Sequence, residues 1–459
     1  MKNKFNLGLI AVVLAGASLT SCSKNNGPDV DPEIPVESNE VLADSFFDKV
    51  AYRGAMGTSD WTANWTNFDP NNAVYGATTE TLSGTISANR TLDASKVYLL
   101  QGFVYVASGV TLTIPAGTVL RGDELSKGTL IITRGAKLMA EGTSAKPIVF
   151  TSNKNAGQRK AGDWGGIIVL GKSTNNYAGG TGVIEGGIDA TLGIHGGTDA
   201  ADNSGVLKYI RVEFPGIAYQ PANEINGVTF GSVGSGTTVD YIQVSYSGDD
   251  SFEWFGGTVN AKHLVSIANV DDIFDFDAGY TGKIQYAIGQ RKADVADGAG
   301  ESNGIESDNG SVFSAIPRTR PVISNMTIVG PSVGAVEVDA KHQNANLWRK
   351  GSKMILANSL FIASKWGIDI RDVETGAALN DGSSLIKNNI YQVSDAAKQV
   401  MASNNSFATV DLLKTYLTSK NNTFIDATAA GALLTTPYSQ TAPNFTIKAG
   451  SAAATGATF

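Results

Sequence analysis

The sequence predicts an all-β chain wound as a parallel β-helix, a solenoid with an N-terminal cap and a short C-terminal helix. Three observations carry that expectation. From about Val97 onward, short β-rich runs alternate with Gly- or Asn-containing turns, as in Val110-Thr111-Leu112-Thr113-Ile114, Ile148-Val149-Phe150-Thr151 and Tyr241-Ile242-Gln243-Val244. Alternation within these runs gives each an inner and an outer face, and no long helical periodicity separates them, which disfavours βαβ units. Third, Asp249-Asp250-Ser251-Phe252-Glu253-Trp254-Phe255-Gly256-Gly257 aligns, 22 residues on, with Asp271-Asp272-Ile273-Phe274-Asp275-Phe276-Asp277-Ala278-Gly279. Such a period is one coil of a solenoid, whose inward face is buried only by stacking on the next coil.

Composition agrees with this and narrows function. Gly contributes 52 of 459 residues and charged residues only 17%, against roughly 25% charged in ordinary globular proteins. The formal charge of −8 does not suit a nucleic-acid-binding surface. One Cys excludes a disulfide framework or a Cys-ligated metal centre made by this chain alone, and His195, His263 and His342 are scattered. Phosphate loops, dinucleotide fingerprints and EF-hand loops are missing, and His195 has no nucleophile motif beside it.

Taken in order, residues 1–22 read as a lipoprotein signal peptide. Lys2 and Lys4 precede an apolar run from Leu7 to Leu19 that is too short to span a bilayer as a mature helix. It ends in Leu19-Thr20-Ser21-Cys22, which resembles a bacterial lipobox and implies lipidation of Cys22. Residues 23–44, rich in Asn, Pro and acids, form a tether. Residues 45–95, with Trp61, Trp65 and Phe68, are expected to cap the solenoid's exposed N-terminal edge. The β-helix proper is expected over 96–405. Residues 406–459 should supply an amphipathic helix at Val410 to Leu417 and a capping tail. Asn325, Asn358 and Asn389 open late strands, where stacked Asn side chains can bond along the axis and tolerate a left-handed turn.

Specific segments carry a family resemblance. They are Gly109-Val110-Thr111-Leu112-Thr113-Ile114-Pro115-Ala116-Gly117-Thr118-Val119-Leu120-Arg121-Gly122, Pro147-Ile148-Val149-Phe150-Thr151-Ser152 and Gly162-Asp163-Trp164-Gly165-Gly166-Ile167. With the Trp-rich segment around Trp61 and the two acidic-aromatic coils, the chain from about residue 50 onward resembles an uncharacterised family of Bacteroidetes and proteobacterial outer-membrane lipoproteins. That resemblance implies a right-handed parallel β-helix and no particular activity. Acids soon after Cys22 resemble the surface-export signals of Bacteroidetes lipoproteins, although Ser23-Lys24-Asn25-Asn26 departs from their tight acidic form.

Chemistry is expected at the acidic coils. A 22-residue coil places Asp250 near Asp272 and Glu253 near Asp275, about one strand spacing of ~4.8 Å apart, and charges that close repel. Three compensations stay open: a hard cation such as Ca²⁺ held by Asp249, Asp250, Glu253, Asp271, Asp272, Asp275 and Asp277; backbone N–H groups in the turns; or a carboxyl kept protonated as a general acid. Trp254, Phe255, Phe276 and Tyr280, with Glu306 and Asp308 continuing the patch, would offer sugar rings both stacking faces and acceptors, unless the aromatics point into the coil. Arg318, Arg320, Lys283 and Arg291 are available as lyase bases, but their spacing does not reproduce a lyase pattern. The expectation is a lipid-anchored outer-membrane protein that binds an extracellular glycan or a partner such as an outer-membrane uptake protein. The alternatives are a Ca²⁺-dependent polysaccharide lyase or hydrolase, and a structural or adhesion module.

Overall fold

Runs of three to ten residues rich in Val, Ile, Leu and Thr are too short to bury a core alone, and here each pairs in parallel with the equivalent run of the next coil. The computed structural model describes residues 41–220, 223–331, 337–426 and 433–459. The expected signal peptide, Cys22 and residues 23–40 of the tether lie outside the described residues. Twenty-six strands join one sheet, which winds as a parallel β-helix with three ladders. Ladder I passes through 129–132, 167–170, 228–233, 252–257, 274–277, 305–307, 344–348 and 366–371. Ladder II contains 148–152, 210–212, 242–245, 264–267, 287–290, 326–329, 360–364 and 390–393. Ladder III contains 111–114, 137–141, 205–208, 238–240, 261–262, 283–285, 322–324, 355–357 and 385–387. The 22-residue repeat sets the register: Phe252 pairs with Phe274 and Glu253 with Asp275.

Alternation then decides which side chains fill the coil. Phe252, Trp254, Phe274 and Phe276 all point inward with none of their surface exposed. They stack coil on coil, Phe252 on Phe274 at 5.6 Å and Trp254 on Phe276 at 4.9 Å between centroids. Such pairs add about 0.5–1.5 kcal/mol each beyond the area they bury.

Ladders III and II meet at a one-residue corner in the left-handed region. Tyr209, Tyr241, His263 and Tyr286 occupy it in early coils, and Asn325, Asn358, Asn388 and Asn421 in late ones, all with φ between 50° and 63°. Asn tolerates this conformation because its short side chain bonds locally. The aromatic residues have no such bond, and their rings instead stack at 4.3, 4.1 and 5.2 Å along the axis. The expected Asn ladder is present in shifted form. Asn388 Nδ2 donates to Asn358 Oδ1 at 3.3 Å, and Asn389, one residue past the corner, donates to Asn422 Oδ1 at 3.0 Å.

The termini depart from expectation. Coiling begins at Glu80, because Glu80–Ile86 already pairs with Val97–Val106, so the solenoid starts ahead of residue 96. Residues 45–75 do not cover an end. They form a strap along the outside, from late coils, where Phe47 packs with Val322 and Ile355, back to the early ones, where Arg121 donates to Gly76 O. The reason is an apolar outer face on ladder II (Val265, Ile267, Ile288, Val329, Leu360, Ile362) that needs cover more than the small first coil does. At the other end, helix α2 (Val410–Ser419) does plug the coil. Its N-cap Thr409 accepts from Leu412 N, and Leu413 and Leu417 join the interior. A further helix that the sequence pattern did not predict, α1 (Val373–Asn380), precedes it. Among the described residues, no helix is long and apolar enough to cross a membrane.

Candidate functional site

The outer face of ladder I changes character along the axis. Its central outward column reads Ile131, Ile168, Thr229, Glu253, Asp275, Glu306, Leu347, Asp369 in successive coils. The apolar start is roofed by Ile184, Ile188 and Ile225 from two insertions. The acidic stretch that follows is the candidate site.

Asp249 and Asp250, then Asp271 and Asp272, sit in the turn before each strand of this face. Part of their charge is met by backbone, one of the three compensations the sequence left open. Asp250 Oδ1 accepts from Asp272 N at 2.7 Å, Asp272 Oδ1 accepts from Asn303 N, and Asp277 Oδ1 accepts from Ala278 N and Gly310 N. Other oxygens remain. In each of three triads, one oxygen from every member lies within 4.8 Å of the others: Asp249, Asp250 and Asp271; Asp250, Glu253 and Asp275; Asp272, Asp275 and Glu306. Asp250 and Asp275 are each shared by two triads. Asp271 Oδ1 and Asp275 Oδ1 are buried with no partner. Glu253 and Asp250 are only 7% exposed and Asp272 4%.

Burial, and then the neighbouring carboxylates, drive these groups toward the neutral form. Burial raises Asp271 to about 7, Glu306 to about 7 and Asp277 to about 6. Asp249, Asp250, Glu253, Asp272 and Asp275 are raised well above the usual carboxylate range for the same reasons.

Cations reach the cluster only at its edge. Arg291, 4% exposed, donates to Asp271 O and Asn303 O and lies 3.9 Å from Asp272 Oδ1. Arg349 contacts Glu306 Oε1 and donates to Asp308 Oδ1 at 2.7 Å, while Lys350 Nζ is 2.6 Å from Asp308 Oδ2. Glu306 and Asp308 are therefore brought into the patch, as expected.

Several expected partners are elsewhere. Trp254, Phe276 and Tyr280 are fully buried among interior rings, so they form no stacking platform. The acids and these aromatics alternate along the strand, and both sets cannot face out. Phe255 does face outward but packs under the insertions with Ile184 and Ile188. Lys262 turns to the opposite flank and pairs with Asp48 at 2.8 Å. Lys283 pairs with Asp44, Arg318 donates to Gly351 O and Arg320 to Ser383 O. Of the four bases considered, it is Arg291 that lies against Asp272.

Sequence reasoning missed Glu185, Asn226, Tyr177 and Arg349. Asn226 Nδ2 bridges Glu185 and Glu253, and burial raises Glu185 to about 7. Tyr177 stands near Asp277, Glu253 and Glu185, which help push its hydroxyl up. These residues come from loops with no repeat signal. Arg349 alone had a clue, its place one position beyond strand 344–348 in the same column as Asp308.

All-carboxylate donors without His or Cys suit a hard cation taking six to eight oxygens. The orphaned oxygens of Asp271 and Asp275 fit that role. A family model described as a pectate-lyase-like β-helix domain matches residues 84–438. No curated protein and no solved structure matches the chain. The family assignment agrees with a polysaccharide-related role and with the parallel coils described above. The chain belongs to the pectate-lyase-like β-helix domain family.

Proposed function

We propose that this protein binds a carbohydrate through a divalent cation, Ca²⁺ by donor chemistry, held on the acidic face of ladder I. The observation that carries the reading is the set of three adjoining carboxylate triads with two buried, unpartnered oxygens. So many acids held so close, with Arg291 at the start of the ladder I strands and Arg349 and Lys350 at their far ends, need positive charge from outside the chain or must stay protonated. A cation bound there supplies an electrophilic centre that sugar hydroxyls or carboxylates can ligate. Asp249, Asp271, Asp275 and Asp277 keep part of their surface accessible for that purpose.

The aromatic contribution expected from the sequence drops out of this proposal, so recognition is polar. A second reading, a Ca²⁺-dependent lyase or hydrolase, is favoured by Arg349 beside Glu306 and by carboxyls poised near neutrality. We also propose, from the lipobox alone, that Cys22 is lipidated and holds the body at the outer membrane, with a glycan or an uptake protein as its partner.

Glycan-array binding and reducing-sugar or unsaturated-product assays, with Ca²⁺ and with chelator, test both readings. Chelator-sensitive binding without turnover supports the first, and chelator-sensitive turnover the second. Binding that is indifferent to chelator and unchanged in Asp250→Asn/Asp272→Asn overturns both.

A further inference from the structure

Away from the acidic face, one edge of the coil is lined with side-chain carboxamides that grip passing main chain. Gln285 accepts from Asp48 N and donates to Asp48 O, both at 2.9 Å. Gln243 does the same to Asn67 at 2.8 Å. Asn358 accepts from Thr458 N at 3.0 Å and donates to Thr458 O at 3.1 Å. In each case a neutral amide imitates a neighbouring strand, bonding both backbone groups of one residue.

The gripped segments are the strap and the chain's last residues. Among the described residues, none in 41–76 belongs to a strand, and the tail's two strands pair only with each other. Neither segment therefore extends the ladders. They do hold one another. Arg53 N donates to Ala453 O at 2.8 Å, Ile447 N to Gly57 O at 3.0 Å and Ala457 N to Ala51 O at 3.1 Å, and the Phe68 ring lies 6.2 Å from Phe445.

We propose that the strap, 41–76, and the tail, 433–459, form a two-part latch on the carboxamide edge, opening as one unit without unwinding the coil. Segments joined to a body mostly by side-chain bonds and one-sided apolar contact, here with isolated main-chain bonds from Gly54 N to Asn358 O and from Gly157 N to Asn71 O, open at lower free energy than strands bonded on both edges. Coupling between them is reciprocal, so loosening either loosens both. Opening bares the outer faces of ladders II and III. It also frees residues 41–76, about 120 Å when extended, which adds that much to the distance the body can stand from whatever holds the residues before them.

Hydrogen exchange by mass spectrometry on the full chain tests this. Amides of Asp48, Arg53, Asn67 and Ile447 should exchange at a common rate at least tenfold faster than those of strands 252–257 and 274–277. Phe445→Ala, in the tail, should speed exchange in 48–68 about tenfold. Gln243→Leu, at the far end of the strap, should speed exchange at Ile447 by a similar factor, with strands 252–257 and 274–277 unchanged in both. The proposal fails if strap and coil exchange together in the wild type, or if each substitution affects its own segment alone.

Discussion

Two outer faces of one coil solve the same stacking problem in opposite ways. On the carboxamide edge, Gln243, Gln285 and Asn358 sit in three different columns and find neutral main-chain partners, while Asn358 and Asn388, which share the corner column, bond each other. On the acidic face of ladder I, Glu253, Asp275 and Glu306 stack in one column and crowd one another. A solenoid repeats any outward side chain about every strand spacing of ~4.8 Å. Amides profit from that repetition because each is both donor and acceptor, whereas ionised carboxylates only accept. The first face is covered by its own chain, and the second leaves crowded charge that the proposed cation would meet.

The largest expected effect breaks the acidic face at its one deeply buried cation. Arg291→Met deprives Asp272 of its neighbouring cation and the carbonyls of Asn269, Asp271 and Asn303 of their donor. Losing one side of a buried pair costs about 3–5 kcal/mol, so thermal unfolding in chelator should fall by about 5 °C.

Next comes the response to cation. At a hundredfold excess over its dissociation constant, Ca²⁺ should stabilise the wild type by about 2.7 kcal/mol. Asp250→Asn/Asp272→Asn keeps the acceptors for Asp272 N and Asn303 N, so it should unfold at higher temperature than wild type in chelator and gain nothing from Ca²⁺. Proton linkage gives the same contrast. Burial holds Glu185, Asp271 and Glu306 at about 7 and Asp277 at about 6, against roughly 4 in an unfolded chain. Acids raised in the folded state favour it while protonated. The penalty for ionising them is absent below about pH 4 and grows as pH climbs through 7. Metal-free protein should therefore melt lower at pH 8 than at pH 5, with Ca²⁺ flattening the slope.

On the carboxamide edge, Gln285→Leu removes both bonds to Asp48 and should cost about 1–2 kcal/mol, with no dependence on Ca²⁺ or pH, read by the same melts. Smallest of all is Lys262→Met. Its partner Asp48 is largely exposed, and surface pairs are worth about 0.5 kcal/mol. A strong effect of Gln285→Leu on Ca²⁺ response would erase the distinction between the faces.

Much of this was legible in sequence. The 22-residue repeat placed Glu253 on Asp275 and Asp250 beside Asp272, and the coordinates keep that register. Phase was harder. In Phe274-Asp275-Phe276-Asp277 one set of side chains must turn inward, and only the filled interior decides that it is the aromatic set. The surroundings of the acids were legible only in part: Arg291 and Arg349 each sit one position beyond a strand, whereas Tyr177, Glu185 and Asn226 arrive from insertions with no repeat signal. The strap was mistaken for an end cap for a similar reason. Trp61 and Trp65 announce an apolar segment needing a surface, but no local pattern says that the surface is Tyr209, Tyr241 and His263.

Antiparallel travel of the strap against the rise of the coils inverts the order of manufacture. Its residues are made before any coil, yet Leu42 and Phe47 settle against Ile355, Leu385 and Phe459, made long afterwards. A nascent chain can wind coil upon coil and still display unsheltered rings along one side. The strap finds its seat only after residues 355–459 have been made, so a product terminated ahead of them should betray itself to proteases through residues 41–76.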